Sequence, residues 1–385
     1  MKILITTDLF ANPTNGVVTS VRNLWDELKE KGHDVRILTI SDNMDNHKEG
    51  DVYYIKSIPI EFVYPDVRMP ISYRNSLIKE LIDWDPDVIH SQCEFFSFQF
   101  AQRIAKLTNA PLVHTYHTLY EQYVAYVIPV KSIGHRMIQS LSRIRLKGVN
   151  MIIAPTGKVE DTLREYGLDN AIHVVPSGIS LEQHHYRLSA EERALKRREL
   201  GITDDCSVLI NLGRLGTEKN IEELLVFFKE AVTQNPQLIF LIVGDGPDKP
   251  RLEKLAEKLE IRNHVIFTGM VEPSQVQKYY QLADLFVSAS TSETQGLTYI
   301  EAAANGLPLL CRKDACLRNV LKEGVNGFEY TSQEEFLDKL AVITGDVNWR
   351  IKAGEFSEEI ARSFDKSQFV ENMIAIYESV IDEKE

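Results

Sequence analysis

Residues 206–235 read CSVLINLGRLGTEKNIEELLVFFKEAVTQN: an apolar run, a glycine-bearing loop and an amphipathic helical pattern in unbroken succession. The same order has already run through the first half of the chain, as KILITT then VRNLWDELKEKG, DVRILTI, YRNSLIKELIDW, PDVIHSQ, PLVHTYH and NMIIAP. After residue 206 it starts again and continues through QLIFLIVGDGP, RLEKLAEKLEI, HVIFTGM, SQVQKYYQLA, DLFVSAS and LTYIEAAANG. Strands alternating with helices are the signature of βαβ units and a mostly parallel sheet. A pattern that runs, stops and restarts predicts an α/β protein of two doubly wound, Rossmann-like domains.

The interruption is IHVVPSGISLEQHHYRLSAEERALKRREL, where the strand pattern gives way to a polar helix. It places the boundary near residue 180, giving domains 1–180 and 181–385, and 385 residues suit two cores better than one. Open α/β sheets bind ligands outside the carboxyl ends of their strands, so two of them predict a cleft with function at the strand ends. The C-terminal helical stretches EEFLDKLAVIT, NWRIKAGEFSEEIARSF and QFVENMIAIYESVI fit either domain, covering the second sheet or packing back on the first.

Composition narrows the function classes. Hydrophobic residues make up 44% and charged residues 26%, which is globular, and a net charge of −13 argues against general nucleic-acid binding. MKILITTDLF reads as a first buried strand rather than a signal peptide, and no window of 18 apolar residues exists to span a membrane. The four cysteines lack CxxC spacing, so neither zinc nor disulfides are expected and a reduced cytosolic setting is. One local departure stands out. Residues 122–159 contain no acid and carry Lys131, Arg136, Arg143, Arg145, Lys147 and Lys158.

Several strand ends carry chemistry. NLGRLGTEKN (211–220) puts Arg214 and Lys219 on a loop between strand and helix, where backbone N–H groups, a helix dipole and two cations suit a diphosphate. A solvated turn fits that loop as well. Gly244 and Gly246 in VGDGP fit a tight turn or a close approach to a ligand, and Gly16 stands just before a helix with the same two readings. PLVHTYHT ends a strand with His114 and His117; no third ligand has useful spacing, so a metal is not expected, and His117 is a candidate hydrogen-bond donor to a sugar or an acceptor. Asp85-Pro86-Asp87 precedes a strand, at the wrong end for the cleft, and reads as a loop.

Glu293 and Glu301 flank Thr-Gln-Gly-Leu-Thr. If a helix begins near Gly296, Glu301 lies in its first two turns and Glu293 in the loop before it, both within reach of a ligand whose phosphate meets the N–H groups of Gly296, Leu297 and Thr298. The alternative is plain capping, with Thr294 or Ser292 as N-cap and Glu301 as a dipole-friendly acid.

Together these stretches resemble the retaining GT-B glycosyltransferases of family 4. The resemblance spans nearly the whole chain: the Gly16 loop, HTYHT, PSGIS at 176–180 with Gly178, GRLGTEKN, VGDGP, IFTGMV with Met270 and Val271, and the two glutamates ahead of NGLPLL. It implies a nucleotide-sugar donor such as UDP-glucose, with no metal or other cofactor required. Arg214 and Lys219 would hold the diphosphate, Glu293 the sugar hydroxyls and Glu301 the ribose; Gly16, Gly296 and Leu297 would offer backbone donors, with Met270 and Val271 beside the base. His117, Glu293, Arg214 and Lys219 are the catalytic candidates. Many members carry Gly-Gly in the first loop, whereas Asn15-Gly16 stands here.

HTYHTLYEQYV, with HSQCEFF before it, is similar to the bacterial transferases that place glucose on diacylglycerol. On a helix through 135–147, Arg136, Arg143 and Lys147 fall on one side and Met137, Leu141 and Ile144 a quarter-turn or more away, an interfacial pattern suited to anionic lipid. Tyr120, Tyr123, Tyr126 and Ile128 are further candidate membrane or acyl-chain contacts. The expectation is a cytoplasmic enzyme, peripheral on the inner face of the cell membrane. The alternatives are an amphipathic helix packed on the sheet with a solvated basic face, a soluble sugar, phosphoinositol or polymer acceptor, and a nucleotide-sugar-binding regulator without turnover. Glucose and galactose differ at one hydroxyl, and nothing in the chain signals an oligomeric state.

Overall fold

A computed structural model describes residues 1–10, 16–60, 68–119, 131–184 and 186–384. The chain divides into two compact units, Met1–Gly178 with Lys366–Glu385, and Ile179–Asp365.

The first unit holds strands β1 (Lys2–Thr7), β2 (Asp34–Ile40), β3 (His47–Glu49), β4 (Val52–Ile55), β5 (Ser57–Pro59), β6 (Arg68–Pro70), β7 (Val88–Ser91), β8 (Leu112–Thr115), β9 (Met151–Ala154) and β10 (Ala171–Val174). Eight of them form a sheet in the order β10-β9-β8-β7-β1-β2-β4-β3, and β5 with β6 makes a separate hairpin. Neighbours in the large sheet run parallel except β3 and β4. The helices are α1 (Gly16–Glu30), α2 (Ser76–Trp84), α3 (Phe96–Thr108), α4 (Lys131–Leu146) and α5 (Gly157–Glu165), joined by the last helix of the chain.

Successive residues of β1 serve opposite faces, as the two-residue period of a strand requires. Ile3 and Ile5 enter a core with Val21, Leu24 and Leu28 of α1, while Leu4 enters one with Phe98, Ala101 and Ile104 of α3. The Asp85-Pro86-Asp87 loop clamps the sheet edge-on: Asp87 accepts the Lys2 amide at 2.6 Å and Asp85, left-handed, caps α2. It is a strand-start loop.

The second unit holds β11 (Ser207–Leu212), β12 (Leu238–Val243), β13 (Val265–Phe267), β14 (Leu285–Ser288), β15 (Leu309–Arg312) and β16 (Gly327–Tyr330), all parallel, in the order β13-β12-β11-β14-β15-β16. Its helices are α6 (Ala190–Glu199), α7 (Ile221–Gln234), α8 (Lys249–Lys258), α9 (Val276–Leu282), α10 (Leu297–Ala304), α11 (Gln333–Gly345) and α12 (Val347–Arg362). Helix α6 opens with a capping box, Ser189 and Glu192 each bonding the other's backbone N–H. Near its end the buried Arg197 donates to Asp284 at 2.8 Å and to the Leu282 carbonyl, fixing the start of β14. Asp284 in turn accepts the Val208 amide at the head of β11, so both central strands are pinned at one point.

The C-terminal helices divide between the units. α11 and α12 stay with the second sheet, and α13 (Lys366–Asp382) packs against α1 of the first, its Val370, Met373 and Tyr377 sharing a core with Leu24 and Leu28. Lys366 at its start pairs with Glu27 at 3.3 Å.

Candidate functional site

The second sheet reverses its winding between β11 and β14, and at such a reversal the loops leaving two neighbouring strands part to opposite faces and leave a crevice. Arg214 and Lys219 lie on the loop after β11, and Glu293 on the loop after β14. The strand order therefore brings together residues 74 positions apart: Lys219 Nζ donates to Glu293 Oε1 at 2.6 Å. Burial pulls the Lys219 ammonium down, but the charge and hydrogen bond of Glu293 outweigh it and hold the pKa above the usual lysine value. Arg214 is paired with Glu218 at 3.3 Å, and Ser292 donates to the Glu218 carbonyl, so the two loops are laced together.

Glycines set the shape of this crevice where backbones touch. A Cβ on Gly244 (φ +130°) would stand 2.0 Å from the Gly213 carbonyl oxygen, and the Gly244 amide donates to the Gly269 carbonyl. The Gly244 N–H is therefore engaged, and packing demands glycine there. Met270, next in the TGMV loop, is 63% exposed, an apolar surface suited to a planar ring, and Val271 is partly buried against the core. Gly178 has its own steric reason, because a Cβ there would fall 2.5 Å from Lys366 Cα at the head of α13.

Helix α10 begins at Leu297 with Gly296 as N-cap in the left-handed region (φ +74°) and no side-chain cap. The N-cap position thus falls to Gly296 rather than to Thr294 or Ser292. A Cβ on Gly296 would meet the Tyr299 ring at 2.4 Å. The first N–H groups of a helix lack intrahelical partners, so Leu297 and Thr298 open α10 with the positive end of its dipole beside Lys219 and Glu293. Glu301 sits in the second turn, and burial raises its carboxyl pKa against a lowering hydrogen bond from Tyr280. Tyr280, Gln92 and Glu218 carried no signal in sequence; each gains its place from a partner brought in by the fold.

In the first unit the reversal lies between β1 and β7. Gly16 is the exposed first residue of α1. His117, after β8, bonds Gln92 after β7: Nε2 to Oε1 at 2.7 Å. Burial, then the neighbouring His114, lowers the His117 pKa to about 3, so the ring is neutral. His114 is buried against Glu94 at 3.2 Å, and among the described residues no group of three metal-ligating side chains gathers.

Helix α4 turns Ile138 and Leu146 inward, and Arg145 ties it to the Glu94 and Phe95 carbonyls. Met137, Leu141 and Ile144 are 42%, 48% and 73% exposed, so this apolar stripe is not packed on the sheet. Arg136 and Arg143 are exposed beside it; Lys147, expected on the helix, follows its last residue and is exposed in the turn. Tyr120, Tyr123 and Tyr126 lie outside the described residues, as does Asn15. Among the described residues no helix is long and apolar enough to cross a membrane.

Two family models cover most of the chain: Glycosyltransferase Family 4 matches residues 14–183 and Glycosyl transferases group 1 matches residues 192–355. An alpha-monoglucosyldiacylglycerol synthase of Streptococcus pneumoniae is 34% identical over 95% of this chain and 84% of its own length. A synthase of the same name from Acholeplasma laidlawii is 31% identical over 99% of this chain and 98% of its own. Among solved structures, Anabaena HepE in complex with UDP-glucose superposes with a TM-score of 0.77 at 17% identity, covering 98% of this chain and 100% of that one.

Proposed function

The chain belongs to glycosyltransferase family 4, of GT-B fold, and from that premise we propose that it moves glucose from UDP-glucose to diacylglycerol, with retention, at an anionic membrane surface. The second unit takes the donor. Arg214, Lys219 and the open end of α10 face the diphosphate, Glu293 the hexose hydroxyls and Glu301 the ribose. Met270 and Val271 border the base.

The chemistry follows from charge. As the bond from the anomeric carbon to the diphosphate oxygen breaks, negative charge grows on the leaving group, and fixed cations with helix N–H groups stabilise it without reorganising. Attack comes from the same face: the acceptor oxygen bonds to the anomeric carbon while its proton passes to the departing phosphate. No protein nucleophile is needed, so Glu293 orients the sugar and tunes Lys219 rather than forming a covalent bond. His117, neutral and anchored by Gln92, is the hydrogen-bonding group offered to the sugar or the acceptor from the first unit.

The observation that carries the lipid acceptor is the outward face of α4, where an exposed apolar stripe runs beside exposed arginines. A helix of that kind lies in the interface, its apolar side chains among acyl chains and its bases among anionic headgroups. The names of the two synthases support the same acceptor. On this reading the protein is peripheral on the inner face of the membrane. The test is incubation with labelled UDP-glucose and diacylglycerol in anionic vesicles. Label in a lipid-soluble monoglucosyl product is expected; label transferred only to a soluble acceptor refutes the lipid assignment, and preference for UDP-galactose refutes the sugar.

A further inference from the structure

We propose that Tyr280 is a positioning residue for the donor, its hydroxyl holding the Glu301 carboxylate in the orientation that receives the ribose hydroxyls. The inference rests on the donor reading above, in which Glu301 meets the ribose. Tyr280 belongs to α9, the helix that follows the TGMV loop, and is fully buried. Its ring packs against Phe286 of β14, with centroids 6.3 Å apart, so the ring is fixed from the core side. Packing alone would be served by phenylalanine. A buried phenol needs a partner, and this one has Glu301 Oε2 at 3.0 Å and the Thr298 carbonyl at 3.4 Å.

Burial, and then the Glu301 charge, push the Tyr280 pKa well up, so the phenol keeps its proton and can only donate to the carboxylate. Among the described residues Tyr280 is the side chain that donates to Glu301. A carboxylate rotates freely about its last bond unless something holds it, and an ionised one has roughly four acceptor positions. One hydroxyl taken by Oε2 stops the rotation and leaves acceptor positions for two ribose hydroxyls. The same bond favours the ionised form, which accepts only, over the protonated form that burial promotes. Tyr280 thus acts on the nucleotide through Glu301 without touching it.

The test compares affinities of the full chain for UDP and for 2′,3′-dideoxy-UDP, by calorimetry, in the wild type, Tyr280→Phe and Glu301→Gln. Losing both ribose hydroxyls is expected to weaken wild-type binding about tenfold or more. Tyr280→Phe should weaken UDP about tenfold and the dideoxy nucleotide less than about twofold, a non-additivity that a merely structural role would not produce. Para-aminophenylalanine at position 280, which keeps a donor on the ring, should restore part of the UDP affinity; it keeps the comparison usable should the phenylalanine variant lose stability. Equal weakening of both nucleotides by Tyr280→Phe, or none for UDP, overturns the inference while Glu301→Gln still loses discrimination. If the wild type and Glu301→Gln each bind the two nucleotides alike, the ribose reading of Glu301 falls and takes the inference with it.

Discussion

Lys219 and Glu293 meet at 2.6 Å across the point where the second sheet reverses its winding, so a cation and a carboxylate on separate loops act as one unit. Glu293 keeps Lys219 charged, each orients the other, and a donor that engages one engages both. Lys219→Met is expected to lower kcat/KM by about 10²- to 10³-fold, the range for losing one charge-stabilising donor. Glu293→Gln should lower kcat as well, and the double variant should cost far less than the product of the two effects. Steady-state kinetics with UDP-glucose checks this; near-normal turnover by Glu293→Gln would remove it from the chemistry.

The lowered pKa of the half-buried His117 imidazole predicts a pH dependence of stability. Its pKa is about 3 in the folded protein against a usual 6.5, so between those values the unfolded chain binds the extra proton. The sign is therefore a loss of stability as pH falls below 6.5, with the full contribution present above it. His117→Gln should flatten the fall of the urea midpoint between about pH 4 and 6.5 relative to wild type. An unchanged slope would contradict the neutral ring.

Gly296 combines a left-handed φ of +74° with a Tyr299 ring 2.4 Å from where a Cβ would stand. Gly296→Ala should lower stability by about 1–3 kcal/mol and displace the first turn of α10, raising KM for the donor. Gly345, at the end of α11, has open space around its Cα and a negative φ. Gly345→Ala should be near neutral, within about 1 kcal/mol, which makes it the control in denaturant titrations.

Changing Arg136, Arg143 and Lys147 together to Ala should weaken binding to anionic vesicles about 100-fold, at about 1 kcal/mol for each base near such a surface. Ile144→Ser should weaken it further while leaving the melting temperature within a few degrees, because that side chain is 73% exposed. Co-sedimentation with and without anionic lipid reads both. Unchanged binding in the triple variant would return α4 to an ordinary solvated helix.

The amino-acid order by itself settled what is local. A strand buries alternate or consecutive apolar residues and a helix one stripe, so the run of βα units, their restart after residue 206 and the start of α10 at Gly296 could be read directly from KILITT, CSVLINLGR and SETQGLTYIEAAANG. The basic stripe around Arg136 and Arg143 was legible for the same reason. What is long-range in sequence was decided only in three dimensions. The order β13-β12-β11-β14-β15-β16 makes β11 and β14 neighbours, and no property of either strand alone specifies that pairing. From it come the Lys219–Glu293 contact and the pinning of both strands by Asp284; the packing of α9 against β14 adds the Tyr280–Glu301 bond. In the same way β7 and β8 carry Gln92 to His117, and α13 leaves α12 to bury Tyr377 beside α1. Apolar periodicity fixes which face of an element is buried; only the packed sheet decides which other element buries it, and so which polar groups at the strand ends find one another.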